Sequence, residues 1–294
     1  MAENVPVEEP LGPRVSAILV VLNQIEPLRR AVAALDRSTD RERLEILVVD
    51  LGSEDGSAQI DAEFPATVML RLPHNFGATK AMNIGTRTAK GDLMFYLSPD
   101  VEVATDTVAK LADKLERDSD AAAVCPLIVD ESGKPVSRIY TLPKAQSFKG
   151  EMPAVAIDLE QESVNVEYPG REAIMVRKQF VKGMNYFDER FGEYWADADL
   201  AMQIRRGLKK IRLYPSIGVV KHVVKHTDAA SEALKGLAAA DRAGGAASFI
   251  GKYFGFMPGL GFRIGAIFKA LAHFDLKQFL ALVSGAKIDG SQDG

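Results

Sequence analysis

The sequence predicts an α/β fold in which a mostly parallel central sheet lies between helices and is followed by a C-terminal helical extension. Short apolar runs rich in β-branched residues alternate with segments of helical spacing through the first 226 residues, a pattern typical of strand–helix units. The runs are continuous rather than alternating, as expected for strands covered on both faces of a parallel sheet. Beyond about Thr227 the strand pattern stops, and alanine-rich and then phenylalanine-rich segments predict helices.

Each element follows from its own apolar pattern. The predicted strands span residues 15–22, 44–49, 67–72, 92–97, 121–129, 173–176, 211–214 and 217–224. The predicted helices span residues 26–35, 79–88, 106–115 and 198–206, where apolar side chains recur at helical spacing. Residues 130–169 contain turn residues and prolines without a clear period, so they predict an irregular insertion over one end of the sheet.

Composition narrows the function classes. The chain has 294 residues, a net charge of −4 and a pI of about 5.7, so no electrostatic feature favours a nucleic-acid partner. The single cysteine, Cys125, excludes an intrachain disulfide and a cysteine metal site. Its apolar neighbours predict a buried core residue, and one unpaired cysteine suits a reducing cytoplasm.

We expect three regions along the chain. Residues 1–13 are acidic, contain prolines and lack the apolar core of a signal peptide, so they predict a disordered tail. Residues 14–226 carry the strand–helix pattern, and residues 227–294 form the helical extension. No uninterrupted apolar run reaches the roughly 18 residues that span a bilayer. The single unpaired cysteine leads us to expect a cytoplasmic protein.

The extension combines apolar and basic residues. Within 249–283, residues such as Phe262, Ile264 and Phe268 are interspersed with Arg263 and Lys269. A basic amphipathic segment of this kind is typical of a peripheral contact with an anionic membrane surface. The same pattern also fits a helix pair that covers the sheet, or a dimer contact.

A possible cation site follows the fourth predicted strand. The run that ends at Leu97 is followed by Ser98, Pro99 and Asp100. Proline has no N–H and disfavours a helical conformation at Ser98, so the strand must end here. Asp100 then lies at the carboxyl end of a strand, where open α/β sheets bind ligands. A carboxylate there can hold a divalent cation that neutralises a diphosphate, although the same residue could simply cap a turn.

Three further motifs contain polar residues that could contribute to a ligand site. Asp50 ends the second strand and precedes the turn of residues 52–57. Asn75 and Gly77 form an Asn-x-Gly sequence, and Asn83 belongs to a second one; amide side chains and glycines suit a polar ligand that approaches the backbone. The last motif is the acidic stretch of residues 187–200, with arginines downstream.

The order and spacing of these motifs resemble the family-2 inverting glycosyltransferases of the GT-A fold. The similarity is greatest to the rhamnosyltransferase-like branch that builds bacterial surface polysaccharide. It covers roughly residues 14–226, and its strength lies in the shared order of motifs that are individually moderate. The resemblance implies transfer of a sugar from a UDP- or dTDP-linked donor to a glycan or lipid-linked acceptor at the inner face of the cell membrane, with Mg²⁺ or Mn²⁺.

The resemblance also assigns roles to residues. Asp50 would hold the nucleobase and ribose, and Asp100 would coordinate the cation that bridges the two phosphates. Asp197 would be the general base that activates the acceptor hydroxyl. His222, or His226 as second choice, would complete the metal shell. Further residues would bind the nucleotide-sugar: Asn75, Gly77, Asn83 and Arg205, the last (or Arg206) near the diphosphate.

Two neighbours of Asp197 receive subsidiary roles. Asp199 would cap the helix that begins near it, and Trp195 would stack on a sugar ring. Each assignment has a structural alternative. The two aspartates could simply form a capped helix start, Trp195 could be a core residue, and His222 could be structural.

The sequence departs from the family pattern at three positions. Leu51 stands where a second Asp or Asn is usual, Ser98 where Asn or Asp is usual, and Ala196 where Glu is usual. These changes fit an unusual donor, a weaker dependence on metal, or an impaired family member that binds a nucleotide-sugar or a partner. Because both central acids, Asp100 and Asp197, are present, an active enzyme remains the leading interpretation. A sugar nucleotidyltransferase is a third possibility, but residues 22–26 lack the Gly-rich basic loop that such enzymes carry after the first strand.

Overall fold

A mixed sheet of nine strands forms the centre of the computed structural model, which describes residues 12–144, 146–149, 152–224 and 232–288. Across the sheet the strands run in the order β3-β2-β1-β4-β8-β6-β9-β5, and β7 also pairs with β9. In chain order they are β1 (Val15–Val21), β2 (Leu44–Asp50), β3 (Thr67–Arg71), β4 (Leu93–Leu97), β5 (Val101–Val103), β6 (Ala121–Val129), β7 (Val164–Val166), β8 (Ala173–Arg177) and β9 (Lys210–Lys221).

Helices cover both faces of this sheet. Among the described residues the α-helices are α1 (Ile25–Asp36), α2 (Ile60–Glu63), α3 (Ala78–Thr88), α4 (Thr107–Arg117), α5 (Lys178–Gly183), α6 (Ala196–Arg206), α7 (Glu232–Phe254), α8 (Phe256–Ala272) and α9 (Leu276–Ser284). Successive strand residues point to opposite faces. Leu19 of β1 therefore packs in one apolar core with α1 and α4, while Ile18 packs in the other with α3 and α6.

One half of the sheet is parallel, which confirms the prediction of buried parallel strands in that half. Strands β3, β2, β1 and β4 are all parallel, and the register pairs Val21 of β1 with Asp50 of β2. Every residue of β4 is buried, as the continuous apolar run requires. The carboxyl ends of these strands meet at one edge, so the polar residues that follow them converge there.

The other half is less parallel than expected. Strand β8 runs antiparallel to both β4 and β6, and β5 and β7 run antiparallel to β9, so only β6 and β9 form a parallel pair there. The insertion between β6 and β8 brings the chain back in the opposite direction, which needs no crossover helix. The expectation of a mostly parallel sheet therefore holds for one half of it.

Two details of this half differ from the sequence prediction. Residues 211–214 and 217–224 were expected as separate strands, but β9 is one strand whose register shifts between Tyr214 and Gly218. Pro215 lies in that bulge, where its missing N–H interrupts no ladder bond. Strand β5 was not predicted, because its three residues, which begin two positions after Pro99, give too short a pattern.

The C-terminal helices form a bundle against the sheet domain. Phe249 of α7 is buried in the same core as α6, whereas α8 and α9 share a small separate cluster with α7. A Cβ on Gly259 of α8 would lie 2.8 Å from the backbone of Gly251 of α7, so the two helices cross at very short range. No described helix is long and apolar enough to cross a membrane.

The expected division into domains stays a prediction. Its internal boundary, between residues 226 and 227, falls in 225–231, outside the described residues, as do residues 1–11 of the expected tail. Cys125 is buried as predicted, and burial raises the pKa of its thiol far above the ordinary value.

Candidate active site

A cavity of about 470 Å³ opens at the edge of the sheet where β1, β2 and β4 end. Its walls include Leu51 after β2, Asn75 before α3 and Ser98 after β4, and Arg171 and Glu193 close the opposite side. Open α/β sheets bind ligands at this edge, and the volume lies in the range of small-molecule sites. The cavity is therefore the candidate active site.

Asp50 is fixed beside the cavity with one oxygen free. It is the last residue of β2 and 1% exposed. Its Oδ2 accepts hydrogen bonds from the backbone N–H groups of Gly52 and Ser53, at 3.1 and 3.0 Å. Its Oδ1 is buried and finds no partner among the described residues. A buried polar atom without a partner is costly, so this oxygen is a candidate ligand contact.

Asp100 shows the same feature. It follows Ser98 and Pro99, which line the cavity, and its Oδ1 is buried without a hydrogen-bond partner in the part of the chain that the structure describes. Its Oδ2 lies 3.7 Å from the Lys221 ammonium, and its backbone carbonyl accepts from the N–H of His222. The strand end thus presents a carboxylate with one oxygen near the Lys221 ammonium and the other without a described hydrogen-bond partner.

These residues fit a divalent cation that is shared with a substrate. Within the described ranges, no group of three or more His, Cys, Asp and Glu side chains is arranged to hold a metal ion. Magnesium, however, commonly takes one or two protein carboxylates and completes its shell with substrate phosphates and water. The unpartnered Oδ1 of Asp100 suits that arrangement, and a metal cage built from protein side chains alone does not fit.

His222 lies next to Asp100 in space but its ring is engaged. Its Nε2 lies 2.8 Å from Glu102 Oε2, and its Nδ1 lies 2.8 Å from Glu131 Oε1. Both ring nitrogens that could bind a metal are therefore occupied by carboxylates. His226, the second choice from the sequence, lies outside the described residues.

Asp197 lies near the start of α6, next to the main cavity. Its Oδ2 accepts a hydrogen bond of 3.0 Å from the Tyr168 hydroxyl. Asp197 lines a small second cavity together with Met82, Tyr96 and Arg171, all three of which also line the main cavity. Burial, together with the negative charge of Asp197, raises the pKa of Tyr168 well above its ordinary value, so this hydroxyl stays a donor.

Arg171 and Glu193 connect these cavities to the C-terminal helices. Arg171 donates to the Glu193 carboxylate at 2.6 Å and to the Glu193 backbone carbonyl at 2.9 Å. Glu193 also accepts from the N–H of Ala78, and its own N–H donates to Asp241 of α7. The sequence interpretation did not assign either residue. Glu193 lay within the acidic motif, whereas Arg171 had no recognisable motif around it.

Asn75 and Gly77 shape the rim of the cavity. The Asn75 side chain accepts from the N–H of Gly77 at 2.8 Å, and both Asn75 and Ile288 line the cavity. Gly77 has a φ of +83°, and a Cβ there would lie 2.8 Å from the carbonyl oxygen of Ile288. Only glycine allows the C-terminal segment to approach so closely.

Two predicted nucleotide-sugar ligands lie away from the cavity. Asn83 is buried, donates to the backbone carbonyl of Phe187 and to Glu189, and accepts from the Phe187 N–H. Its amide therefore holds α3 against the loop before α6. Arg205 is exposed near the other end of α6, and its nearest ionic partner is Glu167 at 3.9 Å. The structure does not bring these two residues together with Asp50 and Asp100.

The neighbours of Asp197 make structural contacts. Helix α6 begins after Trp195 without a side-chain cap, so the prediction that Asp199 caps it is wrong. Asp199 is 1% exposed and lies 2.8 Å from the Lys252 ammonium of α7, and Tyr253 also donates to it. The Trp195 ring packs against Phe148, with 4.7 Å between the ring centroids. Protein atoms therefore cover part of the surface expected to meet a sugar.

The departures from the family pattern have clear positions. Leu51 and Ser98 both line the main cavity, and Ala196 is buried at the start of α6. Two of the three changes therefore alter the surface that a ligand would contact, and the third removes a carboxylate from directly beside Asp197.

Comparisons with known proteins agree with this geometry. The model of the family described as Glycosyl transferase family 2 matches residues 16–177, more than half of the chain. An uncharacterized glycosyltransferase YfnE of Bacillus subtilis (strain 168) is 30% identical over 118 residues, 39% of this chain and 30% of that protein. The chain therefore spans under a third of that relative.

Two further proteins match longer parts of the chain. The N-acetylglucosaminyl-diphospho-decaprenol L-rhamnosyltransferase of Mycobacterium tuberculosis (strain ATCC 25618 / H37Rv) is 25% identical over 227 residues, 68% of this chain and 73% of that protein. The crystal structure of GalNAc-T7 with UDP, GalNAc and Mn²⁺ superimposes with a TM-score of 0.60 at 18% identity, over 72% of this chain and 44% of that one.

The mixed sheet, with its cavity at the strand ends, defines the class of the GT-A nucleotide-sugar transferase fold, as the sequence predicted. Within that class the chain belongs to glycosyl transferase family 2. The fold class and the family inferred from the motifs are thereby confirmed.

Proposed function

We propose that this chain transfers a sugar from a UDP- or dTDP-linked donor to a lipid-linked or glycan acceptor, with inversion at the anomeric carbon. The observation that carries the proposal is a pair of carboxylates at the carboxyl ends of β2 and β4, the two parallel strands that flank β1: Asp50, which is buried, and Asp100, which is half-buried. Each has a buried oxygen without a hydrogen-bond partner among the described residues. A nucleotide diphosphate offers what each lacks, a donor group for Asp50 and a bound cation for Asp100.

The donor would lie in the main cavity. Asp50 accepts from the nucleobase or ribose, and Asn75 lines the rim beside it. Asp100, with Lys221 at 3.7 Å, faces the diphosphate. Bound Mg²⁺ or Mn²⁺ would act as a Lewis acid that stabilises the leaving diphosphate.

Asp197 would act on the acceptor from the other side. Its carboxylate takes the proton of the attacking hydroxyl, and the oxygen then displaces the diphosphate in one step that inverts the anomeric centre. The Tyr168 hydroxyl holds one carboxylate oxygen in place at 3.0 Å. Arg171 lines both cavities and would orient the groups between donor and acceptor.

The acceptor class is proposed from a relative. The Mycobacterium tuberculosis rhamnosyltransferase that matches 68% of this chain is named for a decaprenol-linked diphosphate acceptor. A lipid-linked acceptor implies that the chain works at a membrane surface, and the activated nucleotide donor implies the cytoplasmic side. A role in bacterial surface polysaccharide synthesis follows from this acceptor class.

The first experiment is a thermal-shift panel of UDP, dTDP and GDP, each with and without Mn²⁺. A ligand at one hundred times its Kd stabilises the folded state by about 2.7 kcal/mol. We expect a Mn²⁺-dependent shift with UDP or dTDP, and the Asp100→Asn variant should lose the Mn²⁺ dependence. The absence of a shift with every nucleotide would contradict the donor proposal.

The second experiment tests the base. Asp197→Asn should lower kcat for sugar transfer by about 10²–10⁴-fold, the usual contribution of a general base, with nucleotide binding retained. The matched control is Asp106→Asn, an exposed aspartate whose ionic partner is Lys110, and it should transfer at the wild-type rate. Equal rates for both variants would refute the assignment.

An alternative is a family member that binds a nucleotide-sugar without transferring it. It is favoured by Leu51, Ser98 and Ala196, which stand where the family usually has acidic or amide side chains. The first two of these residues line the main cavity. This alternative predicts a nucleotide-dependent thermal shift together with no turnover of any donor. Restoring the family pattern with Leu51→Asp and Ser98→Asn would then strengthen binding.

A further inference from the structure

Helices α8 and α9 present a broad apolar surface that no described part of the chain covers. Five large apolar residues on α8 are at least 38% exposed and recur every three or four positions along one side of the helix: Met257, Leu260, Ile264, Phe268 and Leu271. On α9 the same spacing holds for Leu276, Leu280 and Val283, which are 56–63% exposed. Phe274, between the helices, is 94% exposed. We call these nine residues the apolar face.

The opposite sides of the two helices are satisfied internally. Ala270 of α8 and both Ala281 and Leu282 of α9 are buried, and they pack with Ala240 of α7. The exposed residues are therefore not needed to hold the bundle together. Large exposed apolar patches mark interaction sites in soluble proteins, and rows of exposed apolar side chains on two helices that pack together are the basis for such a patch.

The charge around the apolar face indicates the partner. Residues 256–288 contain four cationic side chains, Arg263, Lys269, Lys277 and Lys287, against one acid, Asp275. This segment therefore carries +3, while the whole chain carries −4, so the rest of the chain carries −7. A basic apolar segment on an acidic protein complements an anionic surface.

Either a protein partner or a lipid surface could cover such a face, and the residues beside it favour lipid. Lysines are depleted at protein–protein interfaces, yet Lys269 and Lys277 are exposed immediately beside Phe268 and Leu276. Lysines beside an apolar face suit lipid, because the side chain reaches the anionic headgroups while its neighbours enter the acyl boundary. Helix α8, with 17 residues, is long enough to lie in the interface over about 25 Å.

We infer that the apolar face docks on an anionic lipid bilayer and lies in its interface without crossing it. The inference deepens the proposed function and rests on it in one respect: the lipid-linked acceptor. The chain leaves α9 at Ser284 and reaches the cavity wall at Ile288, only four residues later. Docking therefore brings the candidate active site close to the surface in which a lipid-linked acceptor resides.

The test is co-sedimentation of the full chain with vesicles of phosphatidylcholine alone and of phosphatidylcholine with 30% phosphatidylglycerol. We expect binding to the anionic vesicles only, and weaker binding at high salt because screening reduces the headgroup attraction. The double variant Phe268→Asp, Leu271→Asp should bind at least tenfold more weakly. Its control is Leu159→Asp, an apolar residue that is 45% exposed on the insertion, and it should bind as the wild type does.

A second pair of variants tests the charges without touching the apolar face. Lys269→Glu with Lys277→Glu should weaken binding to the anionic vesicles at least tenfold, whereas Lys90→Glu, an exposed lysine on the sheet domain, should not. If the wild-type protein does not co-sediment with anionic vesicles, the inference is overturned. It is also overturned if the apolar double variant binds these vesicles as strongly as the wild type. A dimer in solution that this variant converts to a monomer, without vesicle binding, would assign the face to a second copy instead.

The outcome is separable from the proposed function. The UDP and dTDP thermal shifts need no membrane, so the double variant should keep them even when vesicle binding is lost. If the wild type binds vesicles but shows no thermal shift with any nucleotide, the donor proposal is overturned and the membrane-docking inference is retained.

Discussion

The sheet core and the C-terminal helices are both rich in large apolar side chains, but they bury them to different extents. Strand β4 buries every residue, and Phe95 at its centre is fully inaccessible. On α8, Phe268 is 66% exposed, and the following loop leaves Phe274 94% exposed. The sheet finds helices on both of its faces, whereas α8 and α9 find a partner on one side only. The comparison shows that an apolar pattern predicts a surface to be covered but not what covers it.

Helix α7 lies between these extremes. It reaches the sheet domain through Phe249, which is fully buried, and through Lys252, which meets Asp188 and the buried Asp199. Asp241 of the same helix holds the backbone N–H of Glu193. The C-terminal extension thus consists of one helix fixed to the site by buried polar contacts and two helices whose apolar face is open.

The same Phe→Ala substitution should have very different effects on the free energy of unfolding in the sheet core and in α8. Phe95→Ala removes a fully buried ring and leaves a cavity, so the free energy of unfolding should fall by about 3–5 kcal/mol. Phe268→Ala removes a ring that is mostly solvated and should change it by less than about 0.5 kcal/mol. Urea unfolding at constant m-value measures both. A cost above about 2 kcal/mol for Phe268→Ala would show that the apolar face supports the fold.

The next effect tests the attachment of α7. Lys252→Met should lower the free energy of unfolding by about 3 kcal/mol, because it leaves the Asp199 carboxylate buried without its cation. Lys269→Met, on the exposed side of α8, is the control and should be within about 0.5 kcal/mol of wild type. A small effect at both positions would mean that Tyr253 alone stabilises Asp199.

Most of the sheet was predictable because its strands are short, continuous apolar runs. The site was predictable where chemistry follows directly from a strand end, so Asp50 and Asp100 lie at the edge that the sequence indicated. Asn83 was misleading, since an Asn-x-Gly sequence serves a ligand and an internal contact equally well. The family and the fold class needed several motifs in order, because no one of them is specific.

What escaped prediction depends on contacts between distant segments. Arg171 meets Glu193 across 22 residues, and Glu193 meets Asp241 across 48. The periodicity of a short sequence segment cannot predict contacts between residues this far apart in the chain. The approach of Ile288 to Gly77 spans most of the chain. The second half of the sheet was also misjudged, because strand direction is set by the path of the insertion and not by the strand's own residues.

The smallest predicted effect concerns the buried acid of α7. Asp241 is 2% exposed, and burial raises its pKa from 3.8 to about 6, while the Glu193 N–H favours the charged form. Between about pH 4 and 6 the folded state therefore binds more protons than the unfolded state, so this group lowers the free energy of unfolding as the pH rises through that window. Above pH 6 the penalty is complete and is at most about 3 kcal/mol.

Asp241→Asn removes that penalty while keeping an oxygen to accept from Glu193. The buried amide itself has a cost, so we expect a net gain of about 1–2 kcal/mol at pH 7.5 that disappears near pH 4. Thermal unfolding across this pH range measures the difference, with Asp106→Asn as the exposed control. A variant that is less stable than wild type at pH 7.5 would show that the charge of Asp241, and not only its oxygen, fixes α7 against the candidate active site. The charged side chains Asp241 and Lys252 would then both hold α7 against the sheet domain, in contrast to the open apolar face of α8 and α9.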